Sequence, residues 1–206
     1  MKKFWIVFIC CVINFAHATY EEKDFSSLIK NSPFPEELTE MHLKLYSGYV
    51  SNTNEVLKLL ETTKGYEWQA IKRRFSWEYN GMRLHELYFE NLLKKTTLSK
   101  KSSLRKKIIQ RFGSFDNWRK DFIETGKMRG IGWVILYLDN DKLINDWIDE
   151  HNIGVLENAH PLLIMDVWEH AYITAYGLNR LKYINIFLDN IDWQVVEKRY
   201  QKGKKG

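Results

Sequence analysis

The sequence predicts an α+β fold: an N-terminal helical-hairpin domain followed by a C-terminal α/β domain with a small three-stranded antiparallel sheet. Apolar residues recur every three or four positions through the first half, as amphipathic helices require. Past Gly126, Gly130 and Gly132 the pattern changes. Trp133 to Leu138 is β-rich and ends at the turn Asp139-Asn140-Asp141, and the runs from Leu143 to Asp149 and from Leu162 to Asp166 are also strand-like. With 206 residues, 45% of them hydrophobic, the chain can bury a core without help from disulfides.

Residues 1–18 read as a secretory signal: Lys2 and Lys3, an apolar run from Phe4 to Phe15, then Ala16-His17-Ala18, with cleavage expected after Ala18. The run is shorter than the roughly 20 residues that span a bilayer. Both cysteines, Cys10 and Cys11, lie inside it, so the mature chain would have no disulfide, thiolate ligand or cysteine nucleophile. Any metal must then be held by His, Asp or Glu. The formal charge of +5 loses two lysines with the signal, and much of the remaining excess sits in Lys202, Lys204 and Lys205. Such a surface attracts small anions and is a poor argument for nucleic acid. The expected product is exported, periplasmic or secreted, with no membrane association after cleavage.

The helical domain is expected over 19–112. Leu38, Met41, His42, Leu45, Tyr49, Val50, Val56, Leu59 and Leu60 fit one long helix, or two broken near Ser51 to Asn54, ended by Gly65. Tyr79 to Leu93 reads as a second helix with Met82, His85, Tyr88, Phe89 and Leu92 on one side. A basic stretch, Lys94 to Lys107, leads to a helix ending near Gly113. In the second domain, 113–206, a short helix from Trp118 to Thr125 precedes the strands, and helical spacing returns from Tyr172 to Leu188.

Of the six histidines, His160 precedes a proline in a polar stretch and reads as solvent-exposed. His42 and His85 sit on apolar helix faces, where each alone reads as a hydrogen-bonded core histidine. The segment Asp166-Val167-Trp168-Glu169-His170 adds a carboxylate after a buried strand and a histidine four residues later. A buried ionised Asp needs a cation or strong donors nearby; a helix cap by Asp166 is the alternative. Three imidazoles and a carboxylate would suit Fe, Mn or Zn.

Asp166-Val167-Trp168-Glu169-His170-Ala171-Tyr172 matches at every fixed position the signature D-x-W-E-H-A-Y of the iron/manganese superoxide dismutases, and the chain resembles that family over nearly all its mature length. Further matches are Tyr49-Val50 with Asn52 and Asn54, Asn80 to Asn91 around His85, Phe112-Gly113-Ser114-Phe115, Gly130-Ile131-Gly132-Trp133, and Val195. The resemblance implies a superoxide dismutase acting on superoxide anion through one Fe or Mn ion per subunit, with metal ligands His42, His85, Asp166 and His170. In the family the first ligand usually lies eight residues before Tyr49, where this chain has Met41; His42 is taken as the ligand, on a shortened turn.

His151 would occupy the place where manganese-type members carry a Gln bonding the metal's solvent molecule and some relatives carry His, which leans the ion towards iron. Gly81 would leave room for that side chain, and Tyr49 would flank the solvent from the other side. Trp133, Trp168 and Phe89 would keep the site dry. Glu169 beside His170 implies a homodimer in which Glu169 of one subunit accepts from His170 of the other. Leu45 and Ile173 replace a family His and Tyr beside the substrate funnel. A metal-poor relative that keeps the fold as a binding or structural module is the alternative, and a non-haem iron oxygenase using two His and a carboxylate is a second.

Overall fold

The computed structural model describes residues 19–204, so the predicted signal and Lys205 lie outside the described residues. A single turn of helix, α1 (Leu28–Asn31), leads into α2 (Glu36–Thr62) and α3 (Gly65–Glu90), which form the antiparallel hairpin. Glu36 and Glu37 lie in the first turn of α2, at the positive end of its dipole. The helix runs unbroken through Ser51 to Asn54. There Thr53 donates back to Tyr49 O (2.7 Å), inside the helix, and Asn54 turns its amide outward onto the backbone of Tyr20.

Gly65 does not merely end α2; at φ 63° it turns the chain and begins α3, fourteen residues before the predicted start at Tyr79. Residues 65–74 are almost all exposed, so this part of α3 has no buried stripe to imprint a period on the sequence. Next come α4 (Ser103–Phe112), capped by Ser102 and closed by Gly113, and α5 (Phe115–Gly126), capped by Ser114.

The sheet has the order β2-β1-β3, all antiparallel: β1 (Trp133–Asp139), β2 (Lys142–Ile148) and β3 (His160–Asp166). The predicted α+β class is borne out. Asn140 and Asp141, both at positive φ, make the two-residue turn between β1 and β2. His160 is the first residue of β3 rather than part of an exposed loop; it pairs with Leu138 and its imidazole packs under Gly203. The predicted helix from Tyr172 to Leu188 is instead a 3₁₀ turn (Glu169–Ala171), then α6 (Ile173–Tyr176) and α7 (Arg180–Asp189), divided at Gly177 with φ 56°. The chain closes with α8 (Trp193–Gly203).

Register and bracing place the site. Trp133 pairs with Ile148 on one side and Asp166 on the other, so the indole and the carboxylate start from adjacent strand ends. Gly132, at φ 116°, accepts from Val167 N; a Cβ there would lie 2.0 Å from Ile148 O. Buried Arg199 of α8 donates to Asn91 Oδ1 (2.7 Å), Leu162 O (2.9 Å), Leu87 O (3.0 Å) and Glu90 Oε2 (2.7 Å). Asn91 in turn donates to Ile164 O (2.8 Å). Together these bonds fix the end of α3 against β3, and with it the relation of His85 to Asp166.

Candidate metal centre

His42 on α2, His85 on α3, Asp166 at the end of β3 and His170 in the 3₁₀ turn converge from four separate elements. Each offers one ligand atom, and all four atoms lie within 4.8 Å of one another. Their common focus is Asp166 Oδ2, which stands 3.2 Å from His42 Nε2, 3.6 Å from His85 Nε2 and 3.1 Å from His170 Nε2. The other carboxylate oxygen is already committed: Oδ1 accepts from Trp168 N at 2.8 Å. Asp166 thus caps the following turn with one oxygen and faces the histidines with the other.

His85 supplies the test of whether a cation fits. Its Nδ1 donates to Gly81 O at 2.6 Å, so in the neutral ring Nε2 carries a lone pair. That Nε2 is buried, has no hydrogen-bond partner among the described residues, and points at the oxygen of a carboxylate. Burial, reinforced by the neighbouring His42, holds His85 well below its ordinary pKa, so a second ring proton does not relieve the contact. Burial likewise lowers His42 against the pull of Asp166. Burial opposes ionisation of Asp166 too, but the adjacent His170 and His42 override it and hold the carboxyl well below the usual range. A buried anion faced by an imidazole lone pair fits a bound cation, and three nitrogens with one carboxylate oxygen suit a first-row transition metal.

Met41 does not compete for this place. It is 37% exposed, whereas His42 is 3% exposed and turned inward. Seven residues make close to two full turns of a regular helix, so His42 and Tyr49 share one face of α2 without any irregularity.

His151 is fully buried between the site and a cluster of indoles. Trp133 Nε1–H donates to its Nδ1 (3.0 Å), which places the ring proton on Nε2, and Nε2 lies 2.7 Å from Tyr49 Oη. The tautomer is therefore set by Trp133, and the Tyr49 oxygen is the acceptor. Burial depresses His151 to a pKa of about 4, keeping it neutral. Burial, with Asp166 and Glu78 adding to it, raises Tyr49 far above the ordinary phenol value, so Tyr49 keeps its proton. Its ring stacks on His85, with centroids 5.1 Å apart.

Gly81 makes room chiefly for that tyrosine rather than for His151: a Cβ at Gly81 would stand 2.6 Å from Tyr49 Cδ1. Trp133 packs edge-on to His85 at 5.0 Å, Trp168 stacks on His151 at 4.9 Å, and Phe89 lies 5.1 Å from His42. Sequence reasoning missed Trp77, whose ring is 4.8 Å from His151 and 5.8 Å from Trp168. The spacing Trp77, Gly81, His85, four and four along α3, is the signal that could have found it. It also missed Tyr183, which donates to Asp166 O at 2.7 Å and so pins the strand end beneath the carboxylate. Glu169 is exposed, Leu45 is half-buried, and Ile173 is 41% exposed.

Comparison with known proteins places these features in context. Residues 100–199 match the C-terminal domain of the iron/manganese superoxide dismutases. The chain is 33% identical over 182 residues to a protein of Aquifex pyrophilus named as an iron superoxide dismutase, covering 82% of this chain and 85% of that one. A protein of Pyrobaculum aerophilum with the same name is 32% identical over 174 residues, covering 80% and 82%. One from Haloferax volcanii, named as a manganese superoxide dismutase, is 30% identical over 170 residues, covering 80% and 85%.

Proposed function

This chain belongs to the iron/manganese superoxide dismutase family, and from that premise we propose that His42, His85, Asp166 and His170 hold its single iron or manganese ion, with His151 and Tyr49 handling protons beside it. The reaction consumes two superoxide anions and two protons and yields dioxygen and hydrogen peroxide. When bound, the ion supplies one-electron exchange, oxidising one superoxide and reducing the next.

The chain's own residues do the rest. Neutral imidazoles and one ionised carboxylate provide four donors carrying a single negative charge, so the cation is stabilised without being fully neutralised. Trp133 fixes His151 with its proton on Nε2, and His151 offers that proton to the Tyr49 oxygen. The Tyr49 hydroxyl hydrogen is thereby left for another acceptor. Peroxide formation needs protons delivered one at a time, and a chain of neutral donors supplies them without burying a net charge. Trp77, Trp133 and Trp168 enclose His151 and keep water from competing for these bonds.

The observation that carries the ligand assignment is the partnerless His85 Nε2 aimed at Asp166. A metal-poor module is not favoured, because in such a protein the His85 lone pair would stay turned towards the carboxylate with no cation between them. We assign iron as the native ion, on the histidine at position 151 and on the iron named for the Aquifex and Pyrobaculum relatives. We also place the protein outside the cytoplasm, on the leader at 1–18, and assign a homodimer through Glu169 and His170, supported by the exposure of Glu169 beside His170.

Three measurements test these assignments. The purified protein should dismutate superoxide, and Asp166→Ala or His85→Ala should remove metal and activity together; full activity without metal would contradict this. The exported protein should begin at Thr19 by mass spectrometry. His170→Ala should shift the sedimentation profile towards monomer, and an unchanged profile would count against the paired contact.

A further inference from the structure

The chain carries a second feature apart from the metal centre. From Lys94 to Arg111 there are eight cationic side chains, Lys94, Lys95, Lys100, Lys101, Arg105, Lys106, Lys107 and Arg111, and no carboxylate. The rest of the chain from Thr19 onward holds 21 cations against 26 carboxylates, so this basic surface sits on an otherwise acidic molecule. Most of these cations are exposed, and of the eight only Lys107 makes an ion pair among the described residues, with Asp141. Lys198, on α8, is also exposed and forms no ion pair among the described residues.

The stretch is more than a solvated charge run, because it borders a groove. The segment 97–102 lies along the outer face of α8, tied there by Ser102 and Ser103 bonding Glu197 and by Gln201 donating to Ser103 Oγ (2.6 Å). Between them opens a cleft of about 600 Å³ whose walls carry Lys101 and Lys198 together with Thr97, Ser99, Gln194 and Gln201. The one carboxylate in the cleft, Glu197, is occupied by Ser102, Ser103 and Gln201.

We propose that this cleft and its lysine border bind a linear acidic polysaccharide, with Lys101 and Lys198 engaging sulfate or carboxylate groups and the Thr, Ser and Gln side chains engaging sugar hydroxyls. A second copy of the chain seated on this surface through the same surface does not fit, since like-charged surfaces repel when paired across a twofold axis. Nucleic acid fits poorly: the only aromatic side chain in the cleft, Trp193, is buried, so no ring is presented for stacking bases, and lysines outnumber arginines six to two between Lys94 and Arg111. A lipid bilayer is flat and would not reach the hydroxyl and amide groups inside a groove. The cleft shares no residue with the metal centre. Its helix α8 packs against the His160 and Leu162 end of β3, away from Asp166 at the other end.

The test uses the metal-loaded protein recovered from the exported fraction and a heparin octasaccharide as probe, with titration calorimetry at several salt concentrations. Two double variants lower the net charge equally: Lys101→Ala with Lys198→Ala in the cleft, and Lys44→Ala with Lys58→Ala away from it. The inference predicts saturable binding that weakens with salt, a loss of about tenfold or more for the cleft variant only, and unchanged dismutase activity in both. Equal losses in the two variants would show a bulk-charge effect and overturn it. So would absence of binding, or tighter binding to single-stranded DNA or to phosphatidylglycerol vesicles than to the octasaccharide under the same conditions.

Discussion

Replacing His151 by alanine, glutamine and glutamate separates its proposed role from mere packing. In the structure its two ring nitrogens do different work: Nδ1 accepts from Trp133 Nε1–H at 3.0 Å, and Nε2–H reaches Tyr49 Oη at 2.7 Å. Alanine removes both. It strands a buried indole N–H and opens a cavity between Trp77, Trp133 and Trp168, which together cost about 3–5 kcal/mol. For a chain of this size that lowers Tm by about 10 °C or more. Glutamine can reproduce both bonds, because a carboxamide oxygen and nitrogen offer one acceptor and one donor at a similar span. Glutamate offers acceptors only, so the bond to Tyr49 reverses: the phenol must donate to the carboxylate, and its hydrogen is no longer left for another acceptor. Scanning calorimetry and initial rates on metal-matched samples should therefore rank glutamine nearest the parent in both stability and kcat, with glutamate and alanine well below. All four proteins should keep their metal. If glutamate performs as well as glutamine, or alanine leaves rate, pH profile and metal preference unchanged, His151 does not hand a proton to Tyr49.

Three further outcomes follow from other contacts. Gly81→Ala forces the Tyr49 ring away from a Cβ that would otherwise stand 2.6 Å from it; kcat should fall by about 10- to 100-fold with metal content retained, and a parental rate would contradict this use of the glycine. Arg199→Ala breaks four hydrogen bonds joining α8, α3 and β3, and urea unfolding should show a loss of about 3–5 kcal/mol. For the metal-free chain, burial holds His151 at about 4 against 6.5 for a free histidine. Between those values the unfolded chain takes up a proton that the folded chain refuses, so stability falls as pH drops from about 6.5 to about 4, by up to ~3 kcal/mol from this residue. Burial of His42 and His85 adds with the same sign. Urea midpoints at pH 7, 6 and 5 should decline in that order, and a rise towards pH 5 would contradict the assignment.

The fold class was legible because its two halves write different periods into the sequence. The spacing of three and four from Leu38 to Leu60 is the buried face of α2, and the unbroken apolar run from Trp133 to Leu138 is a central strand covered on both faces. Where no face is buried, no period is written, so the first half of α3 went unread. The break at Gly177 was hidden by helical spacing on both sides of it, although a glycine free to adopt positive φ was visible there. At the site, the segment from Asp166 to His170 announced a buried carboxylate and a histidine one turn later. Sequence spacing could not show that Trp133 sets the tautomer of His151, or that the space at Gly81 serves Tyr49. Both are contacts between elements brought together only by the packing of the hairpin on the sheet.

Metal content per chain in the four ligand variants, measured beside Met41→Ala, bears most directly on the assignment of the centre. Purified protein, His42→Ala, His85→Ala, Asp166→Ala, His170→Ala and Met41→Ala would be analysed by mass spectrometry for iron and manganese, after circular dichroism has shown each to be folded. The account predicts one ion per chain in the parent and in Met41→Ala, and loss of most of it in each of the four others. Retention of the ion by His42→Ala together with its loss from Met41→Ala would contradict the inward-facing histidine as ligand, and retention by Asp166→Ala would contradict the centre itself.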